Sequence, residues 1–379
     1  AFLFSRGFIK TGLGKRIAYN LIAAFGSSSL RLAYALALSD LILAPATPSN
    51  TARVGGVIMP ITTSLAKAFG SEPQNGPRKI GSFLMQSIYQ VNTITSAMFQ
   101  TSMAGNTLVA ALALQSFGIG ITWGDWAMAA IVPGIIALII MPYFIYKAYP
   151  PEIKDAREAQ QMIREELKGL GKMSFQEWVM LGVFILALVL WATSQLTHLD
   201  ATTVAFLGIS ILLATGVLIW DDVKSEKGAW DTLVWMGTLM GFAGFLSKLG
   251  FIKWATVLVG GYIPEGSWII AFVIAVLINT YSHYVFASLT AHISAMFVAF
   301  SAIAISAGAP PMLTLLMIAF TSNLCMSLTH YAAGPSPVIF NTGYVPQNTW
   351  WKLGFFSSVI NLIIFVGLGS IWMKAIGMW

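Results

Sequence analysis

Apolar runs of about twenty residues, repeated along a chain of 379, constrain the fold more than any other feature. Residues 178–196 and 351–373 are two of them. At 1.5 Å per residue, a helix of that length crosses a hydrocarbon layer of about 30 Å. Water does not reach that layer, so a spanning segment must satisfy its own backbone polar groups, as a helix does. Charged residues make up only 9% of the chain and hydrophobic ones 57%, where a soluble domain carries roughly a quarter charged residues. The sequence therefore predicts an all-α polytopic membrane protein.

The same residues argue against several function classes. A single cysteine, Cys325, lies in an apolar segment and rules out a disulfide framework. The net charge of +6 comes from lysines and arginines in the loops between apolar runs, a placement that suits membrane orientation better than nucleic-acid binding. No Ser/His/Asp set has the spacing of a hydrolase, and no glycine loop with lysine is present to cradle a phosphate. An enzyme is not expected. No close His or Cys pair is joined by acidic ligands, so no metal is expected either.

Glycine, proline and charge punctuate the chain into helices, and one pattern occurs twice. An amphipathic arm (residues 6–25) precedes an apolar stretch (30–66) broken by Ala44-Pro45-Ala46-Thr47-Pro48-Ser49-Asn50-Thr51. Next come a helix over 81–112 with a break near 101–107, a helix over 126–146, and a mixed-charge segment over 150–172. Helices over 176–196, 202–220 and 230–246 then lead to a second arm over 248–262. A second broken stretch (267–306) carries Asn279-Thr280-Tyr281-Ser282-His283-Tyr284 and Ala287-Ser288-Leu289-Thr290-Ala291-His292. A helix over 312–341, broken at Ala332-Ala333-Gly334-Pro335-Ser336-Pro337, and a last helix over 350–373 complete the chain. Each broken stretch reads as a re-entrant hairpin. An odd number of crossings between the copies would invert them, an architecture common among secondary transporters.

Collecting the first arm, the loops around 67–79, 147–172 and 224–227, and Lys352 on one side gathers 16 of the 21 lysines and arginines. By the positive-inside rule that side is cytoplasmic, which predicts a multi-pass protein of the cell's inner (plasma) membrane. Irregular backbone at membrane depth is tolerated only against protein or a water-filled cavity, so the four breaks point to one site. Ser49, Asn50 and Thr51, repeated by Ser288 and Thr290, can bond a carboxylate beside helix N-termini, although the same residue types also serve as caps. Asn106 and the Gly334, Pro335, Ser336 break would complete the walls. Arg53, with His292 at the matching position and His330, would supply positive charge, the alternative for Arg53 being to snorkel to the cytoplasmic face. Asp40 has two candidate partners, Arg31 and Arg53.

At these motifs the sequence resembles the divalent anion/sodium symporter family, with Ser49-Asn50-Thr51 an intact signature and Ser288-Leu289-Thr290 an altered one. Pro48 to Arg53 followed by Gly55-Gly56, with Leu328-Thr329-His330-Tyr331-Ala332-Ala333-Gly334-Pro335-Ser336-Pro337, is similar to its branch of citrate/succinate and 2-oxoglutarate/malate antiporters. The resemblance implies a homodimer in the lipid bilayer, each chain with a scaffold domain and a transport domain that moves as an elevator. It divides the chain into an arm and scaffold remnant (1–28, with further scaffold helices expected before it) and a first transport part (29–148). A charged cytoplasmic linker (149–174), scaffold helices with the second arm (175–265) and a second transport part (266–379) follow. It implies exchange of di- or tricarboxylates such as succinate, malate, 2-oxoglutarate or citrate. Sodium-coupled members hold Na⁺ at the signature loops. Arg53 and His292 stand two residues past the signature threonines here, so Na⁺-independent antiport with no cofactor is expected, Na⁺-coupled symport being the alternative. An anion channel or a non-transporting receptor is the reading from a different class.

Overall fold

The computed structural model describes residues 2–250 and 268–379. The described residues are helical apart from turns, short breaks and two isolated bridges. Among the described residues, seven helical segments are long and apolar enough to cross a membrane. Most of the second arm expected over 248–262 lies outside the described residues.

The first arm is two helices, α1 (Phe2–Thr11) and α2 (Leu13–Phe25), because Gly12 takes φ 75° between them, a conformation costly for residues with a Cβ. Ion pairs fasten it to distant loops: Lys10 to Asp222 at 2.5 Å and Arg16 to Glu177 at 2.6 Å. The Tyr19 hydroxyl donates to Glu166 at 2.6 Å. Burial, then the Glu166 carboxylate, pushes the Tyr19 phenol up, so it remains a donor through alkaline pH. These contacts unite segments that the charge pattern places on one membrane side.

The first broken stretch is α3 (Ser29–Leu43), a 3₁₀ turn (Ala44–Ala46), an extended break at 47–49, and then α4 (Asn50–Arg53), which continues through a π turn (Val54–Ile58) into α5 (Met59–Ala68). Pro45 and Pro48 explain the break, since each lacks an N–H and restricts the residue before it. Beyond it α6 (Gly81–Met98), a break at 99–103 and α7 (Ala104–Phe117) form the broken helix, with the break earlier than the sequence suggests. α8 (Trp123–Ala148) has 26 residues and spans roughly 39 Å. It opens on a capping box in which Thr122 and Asp125 bond each other's backbone.

Past the charged α9 (Arg157–Gly169), α10 (Phe175–Ala192) and α11 (Ala201–Ala214) present Trp178, Ile185, Val189 and Phe206 outward. Such an apolar exterior is stable only with lipid as solvent. α12 (Lys227–Lys248) follows. The second broken stretch is α13 (Trp268–Ser282), a 3₁₀ turn (His283–Val285), a break at 286–288 and α14 (Leu289–Ser306). The second broken helix is α15 (Pro311–Leu324) with a 3₁₀ turn (Cys325–Leu328), a break at 329–334 and α16 (Pro335–Phe340). A final run, Gln347–Ala375, closes the chain.

Two helices form the centre. All 18 residues of α6 are buried, and so is 89% of the segment Pro311–Leu328. α6 is nevertheless rich in polar residues, including Asn92, Thr95 and Ser96, so it needs internal partners. The breaks around it supply them.

Candidate substrate site

A cavity of about 310 Å³ collects all four breaks. Its walls include Pro48, Ser49, Asn50 and Thr51 from the first broken stretch and Ala287, Ser288, Leu289 and Thr290 from the second. Met103 and Ala104 come from the break before α7, and Ala333 and Gly334 from the break before α16. Residues about 240 apart in sequence thus face one space, whose volume falls in the range of small-ligand pockets.

The two signatures enter the walls as helix starts. Ser49 Oγ accepts from the Ala52 amide at 3.1 Å and Asn50 Oδ1 from the Thr51 amide at 2.9 Å. Ser288 Oγ accepts from the Ala291 amide at 3.3 Å. These residues are therefore caps and cavity walls together, and the positive ends of two long helical runs, 50–68 and 289–306, meet the cavity. Asn50 Nδ2 rests 3.6 Å from Met326 Sδ, a weak acceptor that a carboxylate oxygen would outcompete. Gly334 approaches Thr51 so closely that a Cβ on it would stand 2.1 Å from Thr51 Oγ1.

Arg53 does not line the cavity and does not snorkel. Its side chain has no exposure and pairs with Asp40, Nε to Oδ1 at 2.9 Å, which settles Asp40's partner. Nη1 donates to the Thr47 carbonyl at 2.8 Å and the Ser102 carbonyl at 3.0 Å, and Nη2 to Thr95 Oγ1 and Ser96 Oγ at 3.2 and 3.3 Å. Asp40 also accepts from Asn92 Nδ2 and from the Thr95 hydroxyl. The expectation of a free positive charge at the first tip is therefore corrected: its charge is balanced, and its donors are spent on the carbonyls of two breaks.

The other expected charges are also displaced. His292 is buried behind Ser288, its Nε2 3.1 Å from Ser282 Oγ. His330 accepts from Trp351 Nε1 at 3.0 Å and lies against the Phe340 ring, away from the cavity. Asn106, fully buried, joins the breaks: Nδ2 donates to the Ser96 and Phe99 carbonyls at 2.8 and 2.9 Å, and Oδ1 accepts from Asn323 Nδ2 at 2.8 Å. Ser336 is buried with Tyr89, at 2.8 Å, and Pro335 is buried beside it. Of the expected wall residues, the structure brings Ser49, Asn50, Thr51, Ser288, Thr290 and Gly334 to the cavity and places Asn106, Pro335 and Ser336 outside its lining.

Sequence reasoning missed Phe2, Met103, Gly228, Asp231 and Thr232 as wall residues. Asp231 and Thr232 stand in the second turn of α12, where nothing local marks them as different from other polar residues of a helix.

A family profile described as the sodium:sulfate symporter transmembrane region matches residues 1–379. The chain belongs to this family, the divalent anion/sodium symporters. Within the family it is 51% identical over its whole length to YflS of Bacillus subtilis, which carries the provisional name of malate transporter, and covers 80% of that protein. It is 46% identical to dicarboxylate transporter 1 of the spinach chloroplast (Spinacia oleracea), with 100% of this chain and 67% of that one aligned. The inner membrane protein YbhI of Escherichia coli is 42% identical, with 100% and 80% aligned. The chain is a membrane transporter of this family and not an enzyme.

A sodium ion, which the family description implies, would need carbonyl oxygens at the breaks. At the first tip the residues do not fit one: the Thr47 and Ser102 carbonyls already accept from the Arg53 guanidinium. A cation binding those carbonyls would have to displace the guanidinium from them.

Proposed function

We propose that the protein exchanges di- or tricarboxylates of the malate and succinate class across the membrane without sodium, by an elevator movement of the two hairpins within a homodimer. The matched, inverted repeat and the division into scaffold (1–28, 175–265) and transport parts (29–148, 266–379), joined by the linker 149–174, belong to this reading. The relatives named for malate and dicarboxylates support the substrate class. The shared cavity supports the site: two helix starts offer Ser49, Asn50, Thr51, Ser288 and Thr290 to the carboxylates of one substrate.

The observation that carries sodium independence is the donation of Arg53 to the Thr47 and Ser102 carbonyls. The guanidinium does the structural work a bound cation would do at that tip, and its charge is balanced by Asp40 whether or not substrate is present. Arg53 acts as a positioning residue that holds the Ser49-Asn50-Thr51 tip. His292 takes the matching position in the second half, behind Ser288.

In proteoliposomes, labelled malate or succinate should enter only against internal unlabelled carboxylate, at equal rates in sodium and choline buffers. The family description favours a second reading, sodium-coupled symport. Uptake into empty vesicles driven by a Na⁺ gradient would establish that reading and overturn the first. Uptake that grows without limit with internal volume and voltage, and needs no counter-substrate, would make the protein a channel.

Asn50→Ala tests the site itself. The side chain caps Thr51 and turns Nδ2 to a weak sulfur acceptor, so its loss removes one donor to a charged ligand. Such a hydrogen bond is worth roughly 1.5–3 kcal/mol, so the half-saturating substrate concentration should rise at least about tenfold. An unchanged value removes Asn50 from the site.

A further inference from the structure

Behind the second signature lies a cluster that the transport reading leaves unused. His283, His292 and Cys325 are all buried, and each can present one ligand atom within 4.8 Å of the other two. No spacing in the sequence announces the group, because it joins the 3₁₀ turn after α13, the first turn of α14 and the 3₁₀ turn after α15. The sequence-based expectation of no metal-ligating set rested on local pairs and missed it.

Hydrogen bonding fixes the tautomers. His283 Nε2 lies 2.8 Å from the Ala332 carbonyl, which can only accept, so the proton is on Nε2. Ser282 Oγ gives its proton to the Asn279 carbonyl at 3.0 Å, so toward His292 it accepts, and Nε2 carries the proton there too. Both rings then hold a lone pair on Nδ1, and both Nδ1 atoms are buried without a partner. Two unpartnered imidazole nitrogens in an apolar interior are costly unless something uses them. The arrangement, with the far N–H of one ring on a carbonyl and of the other on a hydroxyl, is the outer-shell support that metal-bound histidines usually have. Cys325, whose Sγ lies 3.3 Å from the Ser322 carbonyl, supplies a sulfur. Asn279, on α13 four residues before His283, also has a buried Oδ1 without a hydrogen-bond partner.

We propose that His283, His292 and Cys325 bind one d¹⁰ cation of the zinc(II) or copper(I) kind, and that the bound ion pins the cavity wall. Neutral imidazoles with a thiolate suit these ions and disfavour sodium or magnesium. With metal–ligand bonds of about 2.0–2.3 Å, tetrahedral ligand atoms stand ~3.5 Å apart, so side-chain rotation must close the group by at most ~1.3 Å. Cys325 releases its thiol proton to water as the metal–sulfur bond forms, and nothing is oxidised or reduced. The pinned segments are those that carry Ser288 and, through the Ala332 carbonyl, the neighbouring Ala333 and Gly334, all near or in the cavity lining.

The test uses the full-length protein without an affinity tag. After incubation with zinc(II) and desalting, elemental analysis should find about one zinc per chain, and cobalt(II) should give a thiolate-to-metal charge-transfer band in the near ultraviolet. Zinc should slow carboxylate exchange in proteoliposomes. Cys325→Ser should lose the band and the inhibition, retain metal at least tenfold less tightly, and exchange normally in chelator. Failure of the unmodified protein to retain zinc, or a charge-transfer band that survives in Cys325→Ser, overturns the site. Zinc held through Cys325 with exchange unaffected overturns the pinning. The binding readouts stand whether or not exchange is the transport mode.

Discussion

Arg53→Met is expected to lower the thermal unfolding temperature of the solubilised protein by several degrees and to abolish sodium-independent exchange. The substitution leaves Asp40 buried with a full negative charge, facing Asn92 and Thr95 but no cation. Removing one partner of a buried ion pair costs roughly 3–5 kcal/mol, mainly through the charge left behind. It also leaves the Thr47 and Ser102 carbonyls without their donor, in the tip that carries Ser49, Asn50 and Thr51. Asp40→Asn combined with Arg53→Met separates the two effects. With the orphan charge gone, much of the stability should return, as seen by fluorescence-monitored melting. Exchange should not return in choline, because the carbonyls still lack a partner, although added sodium should restore part of it. Should Arg53→Met melt and exchange like the unmodified protein, the pair does not hold the tip and the sodium-independence argument fails with it.

How much of this was legible in the sequence depends on whether the signal was local. The two signatures were, because Pro45, Pro48 and the short polar residues around them break a helix by their own backbone chemistry, and the structure breaks there. The break before α7 was placed near 101–107, yet α6 ends at Met98. No proline marks that end, and it is set by tertiary bonds from Thr101 to the Pro45 carbonyl and from Asn106 to the Ser96 and Phe99 carbonyls. Arg53 shows the same limit in another form. Its position near the tip was readable, but its direction was not, since Asp40, Thr95 and Ser102 come from three other segments. A fixed charge in a membrane segment signals a partner without naming it. The meeting of His283 with Cys325 gave no signal, the two being 42 residues apart and joined only by the packing of two 3₁₀ turns.

Gly334→Ala should abolish exchange while Asn50→Ala merely weakens affinity, because the glycine sits where the first and second halves of the chain touch. A Cβ at 334 would stand 2.1 Å from Thr51 Oγ1 and 3.3 Å from Thr51 Cβ. The first distance is far inside van der Waals contact, so either the Thr51 side chain leaves its place on the wall or the two breaks separate. Gly334 is open to the cavity and precedes Pro335, so the backbone there has little freedom to retreat. Overpacking of this kind costs typically 1–3 kcal/mol in a yielding core, and here it falls on the residues expected to hold substrate. The rescue is specific: with Thr51→Ala in the same chain the offending oxygen is gone and the remaining contact, 3.3 Å to Cβ, needs a shift of only a few tenths of an ångström. The double variant should recover its melting temperature and bind carboxylate at least about tenfold more weakly than the unmodified protein, as expected for a lost hydroxyl donor to a charged ligand. Normal exchange by Gly334→Ala alone would mean that Thr51 and Gly334 are not pressed together in the transporting protein, and would remove the contact between the two halves on which the shared cavity depends.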